Sequence, residues 1–146
     1  MQFKPLLNYF NNIIIYKETH INLYNKKPIF KAESSPSFHG DGIDYYVYQL
    51  KKEDFDFILS DNINNYKWNR LPINKEIYSI IDKQLTHDIE LANSLKNSSY
   101  SPIPNVKNGY YLFVNKNSNE KDYYFNFKLY ILDVENFLLY LIKYDS

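Results

Sequence analysis

The sequence predicts an α+β fold: a mainly antiparallel sheet, made of a C-terminal meander plus N-terminal strands, with two or three helices packed on one face. Three observations support this prediction. Strand-like runs fill both ends of the chain, the last third alternates apolar and polar residues, and the middle has helical periodicity. At 146 residues, 45% of them hydrophobic, the chain is long and apolar enough to build one core. We therefore interpret residues 1–146 as a single α+β domain.

The C-terminal third predicts three antiparallel strands. The runs 110–114, 123–132 and 137–144 are rich in aromatic and aliphatic residues, and polar, turn-forming links separate them. Within 123–132, apolar residues occupy every second position, which is typical of a strand with one buried face. Asn108 and Gly109, just before the first run, are a turn signal. Short links between consecutive strands favour an antiparallel meander.

The N-terminal third also predicts strands. β-branched and aromatic residues dominate the runs 13–16, 20–24 and 28–33, whereas residues 1–10 are compatible with a short helix. A further aromatic run at 44–50 is expected to pair with the C-terminal meander in one sheet.

The middle of the chain predicts helices. Apolar residues recur with a spacing of three and four within 52–60 and 75–85, and Asn74 is a suitable N-cap for the second of these helices. The segment 86–95 either extends that helix or begins another after Thr86. We expect the helices 52–60 and 75–85 to cover the same face of the sheet.

Charge and composition narrow the classes of partner. Seventeen basic residues balance seventeen acidic ones, so the net charge favours neither nucleic acid nor an anionic membrane. The absence of cysteine excludes disulfides and thiolate zinc sites. No run reaches the roughly 18 apolar residues of a membrane span, and the N-terminal segment lacks the pattern of a signal peptide. We predict a cytoplasmic protein with no nucleic-acid and no membrane partner.

The segment FHGDG, residues 38–42, places two of the three glycines of the chain around an aspartate. Gly40 and Gly42 permit a positive φ, and Asp41 suits an Asx turn, so the segment predicts a turn into the strand that follows, with at least one glycine at a positive φ. The alternative is a functional loop in which His39 and Asp41 act as a base, an orienting group or metal ligands. We favour the turn, because a metal site usually needs three or four protein ligands and no others have suitable spacing.

Two aromatic and charged features predict a surface for a protein partner. Trp68 and Arg70 are the only tryptophan and the only arginine, and both residue types are common interface anchors, although a tryptophan at the edge of the core is the more frequent case. Residues 36–61 carry two lysines against six acidic residues, a net charge of −4. The partner-binding residues that we predict are Asp41, Asp44, Glu53, Asp54, Asp56, Trp68 and Arg70.

Catalytic motifs are missing from the sequence. GxSxG, HExxH and CxxC do not occur, so we predict no catalytic, cofactor-binding or metal-binding residue and no cofactor. The sixteen tyrosines fall largely on predicted strands, where their strand propensity accounts for them.

Four segments, read in order, resemble an uncharacterised family of small bacterial proteins. They are FHGDG at 38–42, KWNRLPIN at 67–74, NGYYLFVNK at 108–116 and FNFKLYILDVENFLLYLIKYD at 125–145. The family pattern runs GFHGDG, WxxLP, NGYYFF followed by an aspartate and an arginine, and a final FNFTLAIYD hairpin. The resemblance extends over about residues 36–145 and implies the same layout of elements.

The chain departs from this family pattern at two places. Ser37 stands where a glycine is usual, and Lys116 stands near the aspartate–arginine pair of the family. The family has no assigned activity, so the resemblance implies no chemistry.

Two functions from different classes agree with these features. The first is a protein-binding module, an immunity or inhibitor protein that neutralises a cognate bacterial toxin. It agrees with the small size, the missing catalytic motifs, the acidic segment, and the heavy use of Asn, Ile, Lys and Tyr, whose codons are AT-rich. The alternative is a small enzyme or ligand-binding domain centred on the FHGDG loop.

Overall fold

The computed structural model describes residues 3–34, 42–62, 68–115 and 126–145, and it describes their side chains except those of residues 3–10, 34, 61 and 62. Their elements, in chain order, are α1 (Phe3–Thr19), β1 (Phe30–Ser34), β2 (Gly42–Gln49), α2 (Lys52–Phe57) with a π-helical turn (Ile58–Asn62), β3 (Asn69–Arg70), α3 (Lys75–Leu85), α4 (Ile89–Leu95), β4 (Gly109–Asn115), β5 (Phe127–Asp133) and β6 (Leu138–Asp145). The strands of these residues form one antiparallel sheet in the order β1-β2-β6-β5-β4-β3.

The predicted fold class and the predicted meander are confirmed. Strands β4, β5 and β6 are consecutive neighbours, and β2 lies against β6, as expected for the run 44–50. Strand β5 begins at Phe127, after Asn126, and residues 123–125 of the predicted run 123–132 lie outside the described residues.

The helices cover both faces of the sheet, so their predicted position on one face is wrong. On β5, Leu129 and Ile131 pack with Ile81 of α3 and with α4, and we call this side the α3/α4 face. Tyr130 packs on the opposite side with α1 and with Phe55 of α2, and we call it the α1/α2 face. All seven residues of β5 are buried, so both faces of this strand are covered by other elements.

The predicted strand 13–16 is also wrong, because these residues belong to α1. The helix ends at Thr19, whose hydroxyl donates to the carbonyl of Ile15 at 2.7 Å. His20 follows with a φ of 60°, and its N–H donates to the carbonyl of Tyr16, an arrangement typical of helix C-termini. Three consecutive isoleucines favour a strand by propensity, but burial of one helix face overrides that preference.

The segment 20–24 forms no strand. Its side chains nevertheless alternate as predicted, because Ile21 and Leu23 are buried on the α1/α2 face. The alternating apolar residues of this segment therefore pack into the core, although the segment is not hydrogen-bonded as a strand of the sheet. Residues 28–33 do form a strand, β1, which begins at Phe30.

Helix α3 spans the predicted residues. Asn74 caps it as expected, since Oδ1 accepts hydrogen bonds from the N–H groups of Glu76 at 2.9 Å and Ile77 at 3.4 Å. Of the two alternatives for the next segment, the structure has a separate helix. It is capped by Asp88, which accepts from the N–H of Leu91 at 2.8 Å, so it begins two residues later than Thr86 suggested.

Two glycines have identifiable roles. Gly42 opens β2 with a φ of 141°, which confirms the prediction that at least one glycine of FHGDG has a positive φ. Residues 38–41 of that segment lie outside the described residues. Gly109 opens β4, where a Cβ atom would overlap the backbone carbonyl of Leu132. The second glycine therefore permits a close approach of two strands.

Candidate partner-binding surface

The predicted partner-binding residues that the structure describes do not come together in one patch. Glu53 and Asp56 are exposed on α2, and Asp54 beside them is half-buried. Asp44 is on β2, while Trp68 is buried and Arg70 is on β3. Asp41 lies outside the described residues.

The outward face of α2 combines negative charge with an exposed aromatic ring. Each helical residue turns about 100° from the one before, so Glu53, Asp56 and Phe57 project away from the side on which Phe55 is buried. Phe57 is 53% exposed, a large fraction for a phenylalanine. We call these three residues the α2 surface. It retains two of the predicted acidic residues and supplies an aromatic group beside them.

Asp54 forms an ion pair with another residue of the protein. Its Oδ2 lies 2.9 Å from Nζ of Lys26 and also accepts a hydrogen bond from the N–H of Lys51 at 3.4 Å. The hydrogen bond from Lys26 is the main cause that holds the pKa of the Asp54 carboxyl below its usual value. The ion pair fastens the segment before β1 to α2, and this segment exposes 61% of Tyr24.

Asp44 belongs to a row of charged residues across the sheet. Its register partners are Glu33 on β1 and Lys143 on β6. It lies on the α1/α2 face, because its neighbours Ile43 and Tyr45 point to the α3/α4 face. Asp44 is half-buried, and its register partners lie on β1 and β6.

Trp68 is a core residue. It is 6% exposed, its ring meets that of Tyr130 edge to face at 6.4 Å between centroids, and its Nε1 has no hydrogen-bond partner among the described residues. The more frequent alternative for a tryptophan, burial at the core, is what the structure has. Trp68 therefore presents no ring for a partner to bind.

Arg70 is exposed but remote from Asp44. Its strand, β3, is four positions from β2 in the sheet, which corresponds to roughly 19 Å at the usual spacing of strands. The predicted residues that the structure describes therefore separate into five places: the α2 surface, the ion pair of Asp54, the row through Asp44, the core and the far edge.

A buried polar cluster on the α1/α2 face has no counterpart in the sequence predictions. Oε1 of Glu18 in α1 lies 2.7 Å from Nζ of Lys128 and accepts the hydroxyl of Tyr130 at 2.6 Å. Burial is the main cause that raises the pKa of Tyr130, and its hydrogen bond to Glu18 acts in the same direction. Since 110 residues separate Glu18 from Lys128, no local sequence signal announces this contact.

Phe57, by contrast, had a signal in the sequence. Phe55, Ile58 and Leu59 define by their spacing the apolar side of the predicted helix 52–60, and a residue two positions after Phe55 projects from the other side of a helix. Its exposure follows from the periodicity that predicts the helix.

Within residues 3–34, 42–62, 68–115 and 126–145, no group of three or more His, Asp or Glu side chains is arranged to hold a metal ion. His39 and Asp41, the residues of the alternative site, are outside these ranges. No helix of the described residues is long and apolar enough to cross a bilayer. Comparisons of the chain with protein-family models, curated proteins and solved structures gave no match. The resemblance to the family with the GFHGDG pattern stays a prediction.

Proposed function

We propose that the protein is a protein-binding module that acts as an immunity or inhibitor protein, neutralising a cognate toxin in the bacterial cytoplasm. The observation that carries the proposal is the α2 surface, in which the exposed ring of Phe57 shares the outward side of the helix with the exposed residues Glu53 and Asp56. An exposed aromatic ring supplies buried contact area when a partner covers it. Carboxylates at its margin speed the approach of a basic partner.

The position of the surface suits recognition. The buried side chain of Phe55 and the ion pair of Asp54 with Lys26 both fix the position of helix α2. The outward residues of this helix are therefore presented on a rigid element. A rigid presentation lowers the entropy that binding costs. The charges of Glu53 and Asp56 remain on the outward side, in contact with water.

The experiment co-expresses the protein with the product of the neighbouring gene and measures both complex formation and protection of the cell. Phe57→Ala is expected to weaken the complex by about 30-fold, the effect of losing a central anchor. Reversing both charges, with Glu53→Lys and Asp56→Lys, is expected to slow association and to reduce its dependence on salt.

Matched controls separate the surface from general effects. Tyr78→Ala removes another exposed aromatic ring, from α3, and Glu76→Lys with Glu90→Lys reverses two exposed charges on α3 and α4. These variants are expected to bind as the wild type does. Binding that survives Phe57→Ala and the charge reversal would assign the interface to another surface. If no product of a neighbouring gene binds the protein, the immunity function is wrong.

A further inference from the structure

Strand β1 forms one edge of the sheet and carries two exposed, oppositely charged side chains. The side chains of Lys31 and Glu33 are 58% and 44% exposed, and their charged atoms lie 3.5 Å apart. Among the residues that the structure describes, β1 pairs with β2 on one side and with no strand on the other. An edge of this kind is a template for pairing with another strand.

A hydrogen bond identifies the backbone groups of β1 that point outward. The N–H of Ile29 donates to the carbonyl of Val47 at 2.7 Å, so Val47 turns its backbone groups toward β1. Val47 stands opposite Phe30, which makes Phe30, Ala32 and Ser34 the residues that bond to β2. The N–H and C=O groups of Lys31 and Glu33 therefore point to the open edge.

The charges then select one way to pair two copies of this edge. In an antiparallel pair related by a two-fold axis, a register centred on Lys31 or on Glu33 places like charges directly opposite each other, which is destabilising. A register centred on Ala32 places Lys31 of each copy opposite Glu33 of the other. These two residues are also those with outward backbone groups, so the same register makes four backbone hydrogen bonds.

We propose that the protein forms a two-fold symmetric dimer in which β1 pairs antiparallel with β1 of a second copy, with Ala32 at the axis. The sheet then continues across both subunits. Helix α4 packs over β1 on the α3/α4 face, and its flanks beside the buried Leu91 and Leu95 carry the short, exposed side chains Ala92 and Ser94. The second copy therefore meets short side chains on that side.

Pairing through one short strand buries little surface, so the dimer is weak and reversible. Its formation is measured by sedimentation velocity over a range of protein concentrations. Lys31→Glu surrounds the axis with acidic residues and Glu33→Lys surrounds it with basic ones. Each variant is expected to weaken self-association by about tenfold or more, because two attractive cross-strand pairs become repulsive.

The decisive measurement mixes the two variants. In the proposed register, the acidic residues of a Lys31→Glu chain face the lysines of a Glu33→Lys chain. The mixture is therefore expected to form a heterodimer with affinity near that of the wild type. The doubly exchanged chain, with both substitutions, is expected to regain self-association. A mixture that stays monomeric overturns the register.

Proline at position 31 tests the backbone contacts. Lys31→Pro removes an N–H that points away from β2, so it spares the hydrogen bonds within the subunit and is expected to abolish the dimer. Circular dichroism checks that the fold is kept, and Lys83→Glu, an exposed charge reversal on α3, is the matched control. A wild-type protein that is monomeric at every concentration, or a dimer that Lys31→Pro and both charge variants leave unchanged, overturns the proposal.

Discussion

Lys128 and Glu18 form an ion pair of 2.7 Å between β5 and the last turn of α1. Only 7% of the Lys128 side chain is exposed, so its charge is removed from water and depends on this carboxylate. The hydroxyl of Tyr130 donates to the same oxygen. The pair therefore fixes where α1 lies on the sheet.

Removing the carboxylate is expected to cost more than removing the ammonium group. Glu18→Ala leaves a buried charge without its partner and is expected to lower the free energy of unfolding by about 3 kcal/mol. Lys128→Met leaves a carboxylate that is 21% exposed and can regain water, so we expect about half that loss. Urea denaturation measures both changes. Equal losses, or losses under about 0.5 kcal/mol as at surface sites, would contradict the buried pair.

Trp68 is expected to affect folding. Trp68→Ala removes a buried ring that packs on Tyr130 and is expected to cost about 3–5 kcal/mol. Trp68→Phe keeps most of that packing and removes an Nε1–H that has no partner among the described residues, so it is expected to cost less than half as much. Denaturation followed by far-UV circular dichroism measures both. A Trp68→Ala protein as stable as the wild type would contradict the burial of Trp68 in the core.

Local patterning was sufficient for much of this fold. The spacing of Ile77, Ile80 and Ile81 predicts α3, and the short links of the last third predict the meander. The placement of the helices was not predictable in the same way. Lys128 and Tyr130 gave β5 an apparently polar face, and only long-range contacts with α1 and α2 show that this face is buried.

The candidate site was predictable only in part, for a related reason. The charges of Glu53 and Asp56 and the helix that carries them are local properties, and so is the outward direction of Phe57. Whether Trp68 faces water depends on Tyr130, which lies 62 residues later in the chain. A rare aromatic residue between two helices gives no indication of that distant neighbour.

The Asp54–Lys26 ion pair predicts a loss of stability in acid. Because the pKa of Asp54 is lowered in the folded protein, its contribution is complete above its usual value of 3.8 and is lost as the pH falls through the folded value. Asp54→Asn is therefore expected to be less stable than the wild type near neutral pH and to converge with it as the pH falls through the folded-state pKa of Asp54. Added salt should narrow the difference. A carboxyl titration by NMR with a midpoint at or above 3.8 would contradict the pairing.

Tyr140 predicts a loss of stability at high pH. Burial, followed by the charge of Asp133, raises the pKa of Tyr140 from 10.0 to about 12. Its contribution is complete below pH 10 and falls by about 1.4 kcal/mol for each pH unit up to the folded value. Tyr140→Phe is expected to be about as stable as the wild type at pH 7 and to lose stability less steeply above pH 10.

Denaturation curves at several alkaline pH values measure this difference. Tyr24→Phe is the matched control, because it removes the same hydroxyl group from a side chain that is well exposed. Identical slopes for the wild type and Tyr140→Phe would show that Tyr140 ionises as freely in the folded protein as in the unfolded chain.

The order of the strands has a consequence for how the protein is made. As the chain leaves the ribosome, β1 and β2 emerge first, and a lone pair of strands is marginal in water. The inner neighbour of β2 is β6, whose residues 138–145 are synthesised about ninety residues later. The nascent chain therefore cannot close its sheet in stages from one end. Folding waits for β6, and until that strand arrives β2 exposes an edge that chaperones or other nascent chains can reach.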